Sequence, residues 1–259
     1  MRTLLFDSDI FAFKAAATNE IDTPFGKYSY EENALTDVDN RIEELMIELQ
    51  ADEAVMCLTH VDNFRYRVLP TYKGNRNRDE KARPELLPRI KRHLAEEYRS
   101  YIRPSLEADD VMGILATHPR LIMGEKIIVS EDKDMRTVSA QVYNPRKPEQ
   151  GIQSITPLEA AQMHMWQTIV GDATDGYGGA AGVGQASVYA EDINTLGFKD
   201  LWDGVIEAYA SKGLKEKDAL IQAQVAKILS ADLYDFENKI VKLWTPLYFK
   251  TKHYFGSVY

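Results

Sequence analysis

Apolar positions in the first half of the chain fall into short unbroken runs separated by longer amphipathic stretches. "TLLF" (3–6), "AVMCLT" (54–59) and "KIIVS" (126–130) read as strands, and each ends at a polar turn. The first runs into Asp7, the second into His60 and Asp62, the third into Glu131, Asp132 and Asp134. Helical spacing lies between them, in "VDNRIEELMIELQ" (38–50) and in "SLEADDVMGIL" (105–115), where Ser105 reads as the N-cap. Strand and helix in alternation predict an α/β fold with a mainly parallel central sheet flanked by helices. Ligands of such sheets bind beyond the carboxyl ends of the strands, where these polar turns lie.

The second half has a different rhythm. Thr156-Pro157-Leu158-Glu159 is a capping box with proline at the first helical position, and Gly171 ends the helix that follows. "GDATDGYGGAAGVG" (171–184) then holds six of the chain's fifteen glycines. "QASVYAEDI", "LWDGVIEAYAS" and "EKDALIQAQVAKIL" read as short helices with no convincing strand among them. The spacing predicts a core over residues 1–155 and a small helical domain over 156–259.

"SLEADD" is the first stretch whose charges need an explanation. Glu107, Asp109 and Asp110 put three carboxylates within four residues beside an apolar run. Two like charges about 4 Å apart repel by roughly 4 kcal/mol at an effective dielectric of 20. Acids in a first helical turn also complement the helix dipole, by about 0.3–1 kcal/mol each, so local structure offers one account. Metal binding offers another, because acids recur at four stations: Asp7; Glu107, Asp109 and Asp110; Asp132 and Asp134; Asp172 and Asp175. One cysteine and five histidines are too few for a zinc centre, so the ions suited to these ligands are hard cations bound through oxygen. Two divalent ions among eight carboxylates would leave room for a phosphodiester, the arrangement of two-metal phosphoryl chemistry.

Composition narrows the class further. At 259 residues, 44% hydrophobic and 27% charged, the chain is an ordinary globular one. The lone Cys57, in an apolar run, excludes an internal disulfide and reads as a buried thiol in a reducing cytoplasm. No signal peptide or membrane-spanning run is legible, so a soluble cytoplasmic protein without a membrane partner is expected. A net charge of −9 argues against nucleic acid, but Lys73 to Arg103 holds ten Lys or Arg against five Asp or Glu. That segment is either an electrostatic footprint for phosphate or a solvated mixed-charge face. The glycine loop either brings backbone N–H groups close to phosphate or simply makes tight turns, and it lacks the Gly-Lys-Ser/Thr of a nucleotide-binding loop.

"LLFDSD", "LPTYKGNR", "LEADDVMGILA", "IIVSEDKDM" and "TIVGDATDGYGGAAGVG" together resemble the 5′ nuclease family of flap endonucleases and 5′→3′ exonucleases. The similarity is strongest to the replicative exonucleases of short-tailed bacteriophages and spans nearly the whole chain. It implies a PIN/flap-endonuclease-like core, a helical arch over 73–103 and a C-terminal helix-turn-helix domain. By position it makes Asp7, Glu107, Asp109, Asp110 and Asp132 an inner metal cluster, with Asp134, Asp172 and Asp175 completing a second set. Lys73 and Arg76 match the pair that contacts the scissile phosphate, with Tyr72 placed to stack on a base. Arg78, Lys81 and Arg83 follow on the arch, and Gly182 and Gly184 fall in the loop that grips duplex, often with K⁺. The resemblance implies Mg²⁺ or Mn²⁺, two ions, and DNA with 5′ ends or flaps as substrate. RNA–DNA hybrids and replication proteins are further partners it suggests. The implied activity is a 5′→3′ exonuclease of phage replication; a structure-specific flap endonuclease and a catalytically dead DNA-binding homologue are the alternatives. Two departures stand out. No lysine follows the glycine loop, which continues "GVGQASV", and His60 stands where the family has an aspartate after the second strand. Asp62 is the favoured outer-shell carboxylate there, with His60 the choice if position alone decides.

Overall fold

A computed structural model describes residues 1–75 and 83–246. Strand β1 (Arg2–Asp7) leads directly into α1 (Ser8–Thr18), and a hairpin, β2 (Glu20–Thr23) and β3 (Gly26–Ser29), precedes α2 (Glu31–Glu48). Next come β4 (Glu53–Leu58), α3 (Arg65–Val68), α4 (Leu87–Glu97), β5 (Arg99–Ile102) and α5 (Ala108–Thr117). Strands β6 (Glu125–Val129), β7 (Gln141–Tyr143) and β8 (Gln153–Ser154) complete the sheet. After them lie α6 (Pro157–Val170), α7 (Val188–Asp192), α8 (Leu201–Ala210) and α9 (Glu216–Ala226), then a two-residue-per-strand ladder, β9 (Tyr234–Asp235) and β10 (Ile240–Val241).

The sheet order is β5-β4-β1-β6-β7-β8, parallel except for the terminal β7–β8 pair. Its central strands β1, β4 and β6 carry unbroken apolar runs because both faces are covered there. Leu4, Phe6, Met56, Ile127 and Val129 pack under α1, α2 and α4. Leu5, Val55, Cys57 and Ile128 pack the opposite way, in a core that continues through α5 into α6, α8 and α9. The chain leaves β1 toward β4 on one side and is joined by β6 on the other. The carboxyl ends of these three strands therefore flank a topological switch point.

Several expectations need correction. Ser105 is not the cap of α5: it sits at φ 68° and its hydroxyl bonds Asp62, while Glu107 takes the N-cap position. Half of the stretch read as an arch is core. In α4 Ile90 and Leu94, one turn apart, are fully buried, and β5 is a sheet strand paired with β4. Two apolar residues at helical spacing sufficed to dock a segment whose charges dominate its composition. Arg76, Arg78 and Lys81, assigned to the arch and the phosphate, lie outside the described residues. Strands β5, β7, β8 and both small hairpins went unread because runs of two to four residues carry too little periodicity. Among the described residues no helix is long and apolar enough to cross a membrane.

Candidate active site

A cavity of about 880 Å³ opens at the switch point, beyond the carboxyl ends of β1, β4 and β6. Seven of the eight carboxylates singled out from sequence line it: Asp7, Glu107, Asp109, Asp132, Asp134, Asp172 and Asp175. Four separate stretches deliver them. Asp7 is the last residue of β1, and Glu107 and Asp109 stand at the start of α5. Asp132 caps the 3₁₀ turn Lys133–Thr137 after β6, accepting from the Asp134 amide at 2.8 Å. Asp172 and Asp175 lie on the loop after α6, where the Asp172 carboxylate accepts from the amides of Thr174 and Asp175 at 2.7 and 3.2 Å. That loop depends on glycine: a Cβ on Gly179, at φ 60°, would lie 2.4 Å from the Ile169 carbonyl oxygen and 2.5 Å from the Gly171 nitrogen.

Burial and mutual repulsion set the acid chemistry. Asp7 is pushed up to about 7, first by burial and then by Asp9 and Asp132, although Ser130 and the Ile10 amide donate to it. Asp134 is likewise raised to about 7, by burial and then by Asp132. Asp109 rises well above the carboxylate range through burial and the charges of Asp7 and Asp132. Glu107 goes the other way. Burial alone would raise it, but Arg65 and Lys73 hold it at about 2. The cavity wall carries eight acidic side chains, Asp9 included, against five basic ones, so it is short of positive charge. Asp134 Oδ1 is buried with no hydrogen-bond partner.

Among the described residues no three carboxylates or imidazoles are drawn together at metal-holding geometry. They share the cavity instead, as an all-oxygen donor set with an orphaned buried oxygen and excess negative charge. Such a set suits hard divalent cations.

The remaining assignments divide. Lys73, held at φ 52° with its amide donating to the Asp175 carbonyl at 2.7 Å, pairs its ammonium with Glu107 and lies 3.6 Å from Asp175. Arg83 also lines the cavity. Asp110 does not. It is fully buried behind the wall, taking Arg65 Nη1 and Nη2 at 2.7 and 2.8 Å, and the amides of Glu107 and Leu229 at 3.1 Å each. On this geometry its carboxylate is committed to structure, which departs from its place in the inner cluster. Tyr72 is no exposed stacking surface either, since it is 2% exposed and its hydroxyl lies 3.0 Å from Glu107 and 2.8 Å from Asp175. One phenol proton serves those two carboxylates, one at a time. His60 lines the cavity, whereas Asp62 points away into Arg67 and Ser105, which reverses the preference for Asp62. His60 Nδ1 accepts from the Asp62 amide at 3.0 Å, so the neutral ring carries its proton on Nε2 and acts there as a donor. Gly182 has Lys212 beside it, a Cβ there falling 3.9 Å from Nζ, and Gly184 faces open space.

Two residues escaped sequence reasoning. Asp9 lines the cavity, paired with Lys91 Nζ at 2.8 Å, and the spacing Asp7-Ser8-Asp9 could have suggested it. Arg65 is 2% exposed behind Glu107, and nothing in "NFRYR" distinguishes it from the exposed Arg67.

The family model of the 5′-3′ exonuclease N-terminal resolvase-like domain matches residues 2–162. Over 226 residues the sequence is 31% identical to the exonuclease of Escherichia phage T7, covering 74% of this chain and 73% of that protein. Over 223 residues it is 29% identical to the exodeoxyribonuclease of Enterobacteria phage T3, with the same coverage of 74% and 73%. In fold it is similar to the bacteriophage T5 flap endonuclease solved as a pseudo-enzyme-product complex with DNA and metal ions. That likeness has a TM-score of 0.62 at 16% identity and covers 87% of this chain and 93% of the other.

Proposed function

The chain belongs to the 5′-3′ exonuclease family, and from that premise we propose that it is a metal-dependent 5′→3′ exodeoxyribonuclease acting on duplex DNA. The observation that carries the reading is the delivery of seven carboxylates from four stretches to one cavity that also holds Lys73. Asp7, Glu107, Asp109 and Asp132 would hold one ion, and Asp134, Asp172 and Asp175 a second, Mg²⁺ or Mn²⁺ in each case. Such ions activate water for attack and stabilise the leaving oxygen.

The chain's own groups do the rest. The Lys73 ammonium, already among the carboxylates, lies where a scissile phosphate would draw it off Glu107 and be neutralised by it. Arg83, on the same cavity wall, extends that positive edge along the incoming strand, and the family resemblance of "YKGNR" assigns Arg76 to the same phosphate. His60, as an Nε2 donor, orients water or a phosphate oxygen. The glycine loop at Gly182 and Gly184 would present backbone to the duplex and would hold K⁺ there against the phosphates, with Lys212 beside Gly182 supplying an ammonium that the loop itself lacks. RNA–DNA hybrids at primers and flaps, and contacts with replication proteins, extend the same reading.

The test uses 5′-labelled duplex and 5′-flap substrates with Mg²⁺, in the presence and absence of EDTA. Mononucleotides released from the duplex, and no cleavage in EDTA, are the expected result. Short oligomers from the flap alone would make it a flap endonuclease. Cleavage undiminished by EDTA, or an unchanged band with Mg²⁺, would overturn the proposal.

A further inference from the structure

Arg65 opens the four-residue helix α3, 3% exposed at its side chain, and lines the cavity at its buried inner edge. All five of its N–H donors are used. Nε donates to the Val225 carbonyl at 2.9 Å. Nη1 donates to Glu107 Oε2 at 3.0 Å and to Asp110 Oδ2 at 2.7 Å. Nη2 donates to Asp110 Oδ1 and to the Lys227 carbonyl, both at 2.8 Å. The Phe64 ring closes one side, 4.6 Å from the guanidinium carbon.

A buried cation with two carboxylates is an inefficient way to stabilise a fold, because desolvation of three charges offsets most of their attraction. What the planar fork does well is fix direction. Asp110 is held on both oxygens and anchors the guanidinium. The remaining Nη1 proton then fixes Glu107 Oε2, leaving Oε1 to face Lys73. Through the carbonyls of Val225 and Lys227, the same group fastens the end of α9 to the start of α5. With the Tyr72 hydroxyl, 3.0 Å from the same Oε2, Arg65 sets the aim of a cavity carboxylate relative to the helices that follow the sheet.

We propose that Arg65 is a positioning residue of the nuclease reaction, acting through Glu107 rather than on the DNA. The inference rests on the nuclease reading above. Lysine at this position keeps the charge but loses the fork, and Glu107→Gln removes the charge that Arg65 aims.

The experiment measures single-turnover cleavage of saturating duplex, with Mg²⁺, by the full chain and by the variants Arg65→Lys, Glu107→Gln and the double substitution. Duplex Kd in EDTA is measured by anisotropy, and all assays run at a temperature where circular dichroism shows each variant folded. An inactive unsubstituted chain would count against the nuclease reading itself. Given an active one, Arg65→Lys slows cleavage on the order of 10²-fold and leaves duplex Kd within about threefold. In the Glu107→Gln background it adds little, because the group it aims is already disabled. Rate losses that multiply in the double variant would overturn the proposal, since a merely structural Arg65 acts independently of Glu107. So would a folded Arg65→Lys variant with an unchanged rate, or one whose main defect is in Kd. If Arg65→Lys does not fold, Asp110→Asn, which loosens the anchor but leaves Arg65, takes its place in the same cycle with the same outcomes.

Discussion

Asp109 and Asp110 are chain neighbours with opposite fates. In a first helical turn, successive side chains point about 100° apart, so one of a pair faces the cavity while the next faces inward. Asp109 lines the cavity, and Asp110 disappears into Arg65. The four acidic stations were legible from spacing, but which carboxylate of each pair faces the cavity depends on helix phase, and here Arg65 and the chain after α9 take the face that carries Asp110. His60 and Asp62 pose the same question after β4. Here the outcome turns on Arg67 and Ser105, surface partners that draw Asp62 outward and that no local pattern announces. His60→Ala should therefore lower single-turnover cleavage on the order of tenfold, the usual range for a supporting donor. Asp62→Asn should change it less than about twofold. A larger effect of Asp62→Asn in that assay would return the role to the carboxylate.

At the scale of elements, long periodic segments and capped ends were readable, and contacts between elements were not. Strands β1, β4 and β6 and helix α6, with Thr156 capping it and Gly171 ending it, lie where pattern and caps place them. Gly113 shows what pattern misses. It sits inside α5, where glycine costs about 1 kcal/mol relative to alanine. A Cβ there would stand 2.4 Å from the Leu229 carbonyl oxygen and 3.1 Å from Ile228 Cγ2. The chain after α9 runs that close because Leu229 N donates to Asp110, and Ala231 N to Thr117. Gly113→Ala should thus destabilise despite its better helix propensity, by about 1–3 kcal/mol, as overpacking of a tight core does. Urea denaturation would show a lower midpoint at unchanged slope. A raised midpoint would mean that the segment yields without loss.

Across the whole molecule, the apolar core that begins under the sheet runs through α5 into the helices after residue 156, and its far end encloses a histidine. His164, on α6, is 1% exposed, lies 2.8 Å through Nε2 from the Ala223 carbonyl of α9, and stands edge-on to Trp244. Against a carbonyl the neutral ring must donate from Nε2. Burial, and after it the positive charge of Lys227, lower its pKa to about 3. In the unfolded chain the imidazole titrates near 6.5. Between those two values the unfolded state binds a proton that the native state refuses, so this group's contribution to stability is intact above about pH 6.5 and is lost as the pH falls toward 3. Asp7 and Asp134 have the opposite sign. Raised to about 7, they take up protons in the native state first, so mild acidification relieves them. A pH profile of the unsubstituted chain therefore mixes opposing slopes. Subtracting the profile of His164→Gln, whose amide can still donate to Ala223, cancels the carboxylates and isolates the histidine. The difference in unfolding free energy should be flat above pH 7 and fall by about 2 kcal/mol at pH 5, at about 1.4 kcal/mol for each pH unit below 6.5. Thermal or urea unfolding of the two proteins across that range measures it. A difference that stays constant down to pH 5 would mean that His164 is protonated as readily in the native core as in the unfolded chain.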